Sequence, residues 1–263
     1  MTLLVNFYTS KGVVFAADRA ITVRTSSGLE RWEQGSKQRK VLKVAQLGLT
    51  GGVVGFFGLA AVGAEPMDMW LRRTLDGCPG SRTAADLGIY LRDELNRCVD
   101  PSQRATNASG FHIGAFEARG GAPVPVMQYV SNINQLTDGR YSDFRAYVTD
   151  EHFPRHPSAP DVPEHAPAEL REFLRVYARE QGMPMWFRNG DLPFAARAWE
   201  GVEAAVRSIT TTGSGFAIPD TLEHWGALAR AVLRLAGDLY PVLVSSGAPS
   251  IEGPFDVTLI PWP

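Results

Sequence analysis

Cysteine is nearly absent. The 263 residues hold two, Cys78 in a Gly-Cys-Pro-Gly turn and Cys98 near the end of an apolar stripe. Two thiols make neither a disulfide framework nor a zinc site, and free thiols in a reducing compartment are the expected state. An excess of one charge is missing too: 26 basic residues against 28 acidic give a formal net charge of −2. Without a basic run there is no footprint for nucleic acid or an anionic membrane surface. No apolar stretch approaches the length that crosses a bilayer, and the first residues lack the basic flank and apolar core of a signal peptide. A cytoplasmic protein is expected. The apolar fraction, 44%, is that of an ordinary globular chain, and the length allows one large domain with a substantial core.

The most informative stretch is the first. Two apolar runs, Leu3 to Tyr8 and Val13 to Ala17, flank Thr9-Ser10-Lys11-Gly12. β-Branched and aromatic residues bounded by a glycine-containing turn read as an antiparallel hairpin. With the turn at Ser10-Lys11, Thr2 and Asp18 meet at the open end. Removal of Met1 would make Thr2 the first residue, and an α-amino group titrates at about 7.7–8. One residue would then carry both a hydroxyl nucleophile and its base, with a carboxylate and a nearby lysine to tune the amine. Singly, a threonine in a first strand, an aspartate after Ala-Ala and a lysine at a strand start are ordinary structural features; their combination in order carries the signal.

Thr2-Leu-Leu-Val followed by Gly12-Val-Val-Phe-Ala-Ala-Asp18-Arg19 resembles the start of mature proteasome β subunits, the bacterial HslV peptidase and the proteasome-like Anbu proteins. Lys40-Val-Leu-Lys-Val44 is similar to the family strand whose first lysine sits beside the nucleophile. Phe57-Gly58-Leu59-Ala60-Ala61 resembles the glycine turn whose N–H forms the oxyanion hole. The resemblance covers roughly residues 2–75, with a longer interval between Asp18 and Lys40 than the family has. It implies an α+β fold, the four-layer αββα sandwich of N-terminal-nucleophile hydrolases, and a catalytic set of Thr2, Asp18, Lys40 and Gly58. It also implies a ring-like or helical homo-oligomer, a peptide or amide substrate, and no metal or organic cofactor.

Beyond Asp18, residues 19–39 are polar and read as a loop or ragged strand extension. Lys40 to Val44 and Leu47 to Phe57 read as strands, with Gly48, Gly51, Gly52 and Gly55 marking close backbone approach or a bulge. Ala60 to Leu75 has helical spacing, with Pro66 in a first turn or at a break. Ala84, Leu87, Leu91, Leu95 and Cys98 form one stripe behind a Thr83/Asp86 start signal. Phe111 to Ala118 and Val124 to Val130 form a second hairpin, and Phe144 to Val148 a short strand.

Residues 131 to about 210 depart from the family, and an inserted helical pair is expected at about 150–210 within a single domain spanning 1–263. The segment from Glu151 to Pro167 holds five prolines and three histidines. Prolines at 154 and 157 spoil the helix that His152 and His156 would need to share a metal with His165, so exposed loop histidines are expected. Helices are expected over Ala168 to Gln181 and Pro193 to about Ile209, with Met183-Pro-Met-Trp-Phe187 between them as an apolar core plug. Thr210-Thr-Thr-Gly-Ser-Gly215 is open to two readings: a polar turn before a helix, or, by resemblance, the Gly-Ser-Gly turn whose serine, here Ser214, supports the nucleophile. Asp220 with Glu223 predicts a capped helix through Leu235, closed by Gly237. Ser250 to Ile260 resembles the closing strand of Anbu proteins. The family aspartate before a Ser-Gly pair has no counterpart at Val244-Ser-Ser-Gly247; Asp238 lies seven residues before Ser245.

The expected function is therefore threonine-type hydrolysis of amide or peptide bonds. Two alternatives accompany it: a non-catalytic assembly protein that uses the same sandwich as scaffold, and a small-molecule amidase with residues 150–210 as its lid.

Overall fold

The computed structural model describes residues 2–9, 11–25, 28–31, 38–80, 83–119, 121–133, 141–148, 185–190, 201–202, 204–205, 219–243, 251 and 253–263. Along the chain run β1 (Leu4–Thr9), β2 (Gly12–Asp18), β3 (Thr22–Thr25), β4 (Gly28–Arg31), β5 (Val41–Val44), β6 (Gly52–Phe57), β7 (Ala61–Val62) and β8 (Glu65–Pro66). Then come α1 (Met67–Asp76), α2 (Ala84–Cys98), α3 (Pro101–Thr106), β9 (Gly110–Arg119), β10 (Ala122–Ile133), β11 (Tyr141–Val148), β12 (Met185–Asn189), α4 (Leu222–Leu243) and β13 (Phe255–Pro261). The fold is mixed α+β. Its two main sheets are antiparallel, one ordered β12-β1-β2-β13 and the other β11-β10-β9-β6-β5.

The N-terminal hairpin forms as its sequence predicts. Thr9 pairs with Gly12, which leaves two residues for the turn. The Thr9 hydroxyl donates to the Gly12 carbonyl at 2.9 Å and accepts the Lys11 N–H at 3.1 Å. Every residue of β1 and β2 is buried, because both faces of this hairpin are covered. Leu3, Val5, Phe7, Val14 and Ala16 pack on Trp225, Ala229, Val232 and Leu233 of α4. Leu4, Tyr8, Val13, Phe15 and Ala17 face Val41, Val53, Phe116 and Met127 of the second sheet. A strand buried on both faces reads as a continuous apolar run, without alternation. Each such large side chain contributes about 1.5–3 kcal/mol by leaving water.

The outer face of the second sheet lies under α1 and α2. Trp70, Leu71, Leu87, Leu91 and Leu95 pack on Val54, Phe56, Phe111, Ile113 and Val130, which is the role their helical spacing predicts. Helix α2 opens on Thr83, whose hydroxyl accepts the Asp86 N–H. The two sheets can approach because glycine stands where a side chain would collide. A Cβ on Gly55 would lie 2.7 Å from the Leu4 side chain, and one on Gly114 2.6 Å from the Phe15 ring.

Several expectations need correction. Residues 47–51 are turn, and the strand begins only at Gly52; Gly48 and Gly51 have φ of 67° and 88°, which the turn demands. Helix α1 starts at Met67, after the small β7–β8 hairpin, with Pro66 directly before it. Helix α4 runs through Gly237 to Leu243. Gly237 serves close packing, since its Cβ would meet the Ile251 carbonyl at 2.9 Å. The cap of α4 is Thr221, whose hydroxyl accepts the His224 N–H at 3.1 Å, while Asp220 pairs with the His224 ring. Met185–Asn189 is a strand paired along β1, from Tyr8↔Met185 to Leu4↔Asn189, where an apolar plug between helices was expected. Period-3.6 neighbours on either side masked its strand character. The expected helix over 168–181 and the histidines 152, 156 and 165 lie outside the described residues; of the helix expected over 193–209, residues 201–202 and 204–205 are helical. Among the described residues no helix is long and apolar enough to cross a membrane.

Candidate active site

The hairpin register makes the site. With Leu4 paired to Ala17, Leu3 falls opposite Asp18. The Asp18 N–H donates to the Leu3 carbonyl at 3.3 Å, and the Leu3 N–H donates back to Asp18 Oδ1 at 2.6 Å. The second carboxylate oxygen accepts the Ala20 N–H at 3.0 Å. A buried carboxylate so gripped fixes the backbone just after Thr2 and just beyond Asp18 itself.

Lys40 enters from the other sheet. Its carbonyl accepts the Phe56 N–H at 3.0 Å, which ties it beside β6 just before β5 begins. Its Nζ donates to the Ala20 carbonyl at 2.6 Å and to the Thr2 hydroxyl. Thr2, Asp18 and Lys40 are all buried, at 3%, 0% and 2% exposure. Sequence positions 2, 18 and 40 thus meet in one polar cluster.

Burial sets the electrostatics. Loss of water raises the Asp18 carboxyl to about 6, against the pull of the Lys40 ammonium and of the Leu3 and Ala20 N–H groups. The same loss lowers the Lys40 ammonium to about 8, against the opposing pull of Asp18 and then of Asp256. Both groups are therefore charged together only in a window around neutrality. Titratable groups pushed toward neutral pH in a shared cluster are characteristic of reacting sites.

Gly58 lies on the turn after β6. It has φ of 96°, and a Cβ there would sit 2.1 Å from the Ala108 carbonyl, so only glycine fits. The next N–H, of Leu59, donates to the Ser109 hydroxyl at 3.1 Å. Ser109 is itself held through its own N–H by Asn132 Oδ1 at 2.8 Å. Gln38 Nε2 donates to the Ala60 carbonyl at 3.0 Å; with the Lys40–Phe56 bond, this runs the glycine turn alongside residues 38–40. Ser214 lies outside the described residues, as does 244–250.

Two groups joined to this cluster escaped the sequence reading. Asp256 of β13 accepts the Lys40 main-chain N–H on Oδ2 at 2.6 Å. Its Oδ1 takes Arg19 Nε at 2.7 Å and NH2 at 2.5 Å. The signal was available: in Phe255-Asp-Val-Thr-Leu-Ile260 the period of two puts Asp256 on the same strand face as buried Ile260, and a carboxylate on a buried face needs a partner.

Chemically the cluster offers a hydroxyl in contact with a lysine of lowered basicity, a carboxylate that holds the adjoining backbone, and a glycine turn with forced geometry. A hydroxyl activated by a neighbouring base and a fixed N–H donor are what nucleophilic acyl transfer requires in general. No family model and no curated protein matches the chain.

Proposed function

We propose that the chain is a threonine-type N-terminal-nucleophile hydrolase acting on amide or peptide bonds, with a fold of the proteasome-like four-layer αββα class. The layer order supports the fold reading: α1 and α2, one sheet, the second sheet, then α4. The observation that carries the function is the contact of Lys40 Nζ with the Thr2 hydroxyl beside the buried Asp18.

In this reading the Thr2 Oγ attacks the carbonyl carbon once Met1 has been removed. Its proton passes to the freed α-amine, whose basicity the neighbouring Lys40 charge restrains. The C–O bond forms, the carbonyl π pair moves to oxygen, and the Gly58 N–H stabilises that oxyanion. Collapse breaks the C–N bond, with the proton delivered to the departing amine; water then cleaves the ester. A single oxyanion donor is worth about 2.7–4 kcal/mol in such centres. Asp18 keeps Lys40 protonated and holds Leu3, which aims the nucleophile.

One observation favours the scaffold reading: Thr2 is enclosed, at 3% exposure. The test serves both. Intact mass of the purified protein reads Met1 removal, and an epoxyketone selective for N-terminal threonine reads the nucleophile. An adduct on Thr2, lost in Thr2→Ala and fastest between about pH 6 and 8, is the expected result. A retained Met1 with no adduct would leave the scaffold. Turnover of small amides in place of fluorogenic peptides would assign the substrate class.

A further inference from the structure

The C-terminal strand reaches into the site through one side chain. Asp256 is 7% exposed, yet both its oxygens are engaged: Oδ2 by the Lys40 main-chain N–H, Oδ1 by the Arg19 guanidinium. The register Phe255↔Asp18 sets it directly beside the strand that ends in the site carboxylate. Arg19 follows Asp18 in sequence, so a single carboxylate ties the neighbour of one site residue to the backbone of another. A neutral hydrogen-bonding residue would satisfy the Lys40 N–H equally well; what a carboxylate adds is charge. That charge faces a lysine already balanced between burial and Asp18.

We propose that Asp256 is a positioning residue of this centre: with Arg19 it forms a charge clamp that fixes the Lys40 backbone and holds the Lys40 ammonium protonated against the Thr2 hydroxyl. The proposal rests on the hydrolase reading for its catalytic meaning, but its electrostatic part stands on the contacts alone. The groups that face Lys40 are Asp18 and Asp256 as opposing charges, with the Thr2 hydroxyl and Ala20 carbonyl as neutral partners. Arg19, one quarter exposed, acts on Lys40 through Asp256. The two halves of the clamp therefore pull in opposite directions. Removing the Asp256 charge takes away attraction for the ammonium and lowers its basicity. Removing Arg19 leaves the Asp256 charge uncompensated and raises it.

The experiment follows the Lys40 side chain by NMR of protein carrying labelled lysine, with Lys40→Arg for assignment, in the whole chain. Asp256→Asn keeps an oxygen for the Lys40 N–H and should titrate at lower pH than the wild type, whose Lys40 ammonium sits near 8. Arg19→Gln should titrate at higher pH. Epoxyketone labelling of Thr2 supplies the catalytic arm, where Asp256→Asn should slow the reaction at neutral pH about ten-fold. A merely structural aspartate would lower the melting temperature and leave the Lys40 titration where it is. Unchanged titration in both variants overturns the proposal. If Asp256→Asn does not fold, Arg19→Gln decides alone: an upward shift upholds the clamp and none removes it. Opposite titration shifts without any Thr2 adduct in the wild type would keep the clamp and sink the hydrolase reading, so the two failures are distinct.

Discussion

Among the described residues, two polar clusters buried between the sheets are solved differently. At the open end of the β1–β2 hairpin, Lys40 donates to the Thr2 hydroxyl and the Ala20 carbonyl, Asp18 accepts the Leu3 and Ala20 N–H groups, and the carboxylate and ammonium attract each other through space. Further along β1, the Asn6 amide donates to His112 Nδ1 at 2.6 Å, which puts the ring proton on Nε2. There Asn6 Oδ1 and His112 Nε2 have no partner. Burial alone acts on His112 and pushes its imidazolium down to about 3. An apolar layer thus tolerates a charged pair when each member holds the other near neutrality, and forces a lone base out of its working range. The first cluster is poised; the second is inert across physiological pH.

Breaking the first cluster should have the largest consequence. Lys40→Met leaves Asp18 buried without its counter-charge, which costs about 3–5 kcal/mol. Thr2 labelling should fall by on the order of a thousand-fold, as for loss of a principal catalytic group. The sign with pH is diagnostic. In the wild type the Asp18 carboxyl is raised from 3.8 to about 6, so its contribution to stability is present below 3.8 and lost as pH rises through 6. Without Lys40 that carboxyl rises further, and the variant should be distinctly more stable at pH 5 than at pH 8 by denaturant titration. Adding Asp18→Asn should recover most of the loss. A single variant as stable as the wild type at pH 8 would mean that the pair is not charged.

Gly58→Ala ranks next. Its Cβ meets the Ala108 carbonyl at 2.1 Å and its φ is 96°, so the turn must move, at a cost of about 1–3 kcal/mol. If its N–H holds the oxyanion, the labelling and turnover rates fall about a hundred-fold or more. Near-normal turnover in a folded Gly58→Ala protein would remove the glycine turn from the site.

The second cluster can be read by acid alone. The His112 imidazolium is lowered from 6.5 to about 3, so its contribution to stability is complete above 6.5 and is lost as pH falls toward 3. Part of that loss is offset by Asp18, whose contribution returns over the 6 to 3.8 interval. Replacing the pair, Asn6→Leu with His112→Leu, should flatten the acid limb by on the order of a few kcal/mol and cost little at pH 7, since two unpaired atoms leave with it. An unchanged acid limb would show that His112 is already solvated.

The same contrast explains what was legible in the sequence. The hairpin register was, because a two-residue turn between apolar runs leaves one pairing, and that pairing alone brings Thr2 to Asp18. Lys40 was legible only through resemblance, since nothing in its own neighbourhood says which strand it will face. Asp256 and His112 were not identified, although each is a polar residue on a strand face that alternation would bury. Met185–Asn189 was misread because the three apolar residues Met185-Trp-Phe187 are too few to show a period of their own, and the pairing along β1 is a long-range fact. Thr221 was missed as a cap by one position, because the acidic residue before it mimics the same signal.

Ser109→Ala is the mildest of these changes and probes how the first cluster is braced. The hydroxyl accepts the Leu59 N–H at 3.1 Å and donates to the Asn107 carbonyl at 3.2 Å, so its loss strands one buried donor, a penalty of about 1–3 kcal/mol. Asn132 would still hold the Ser109 backbone at 2.8 Å and bond the Arg104 and Asn107 carbonyls with its amide. The strand therefore stays, and only the peptide after Gly58 loses its anchor. Thr2 labelling should slow several-fold with its pH dependence unchanged, because no charged member of the cluster has been touched. Thr2 reactivity that shifts in pH instead would mean the glycine turn is coupled to the Asp18–Lys40 pair, and the brace would then belong to the electrostatics of the site as well as to its shape.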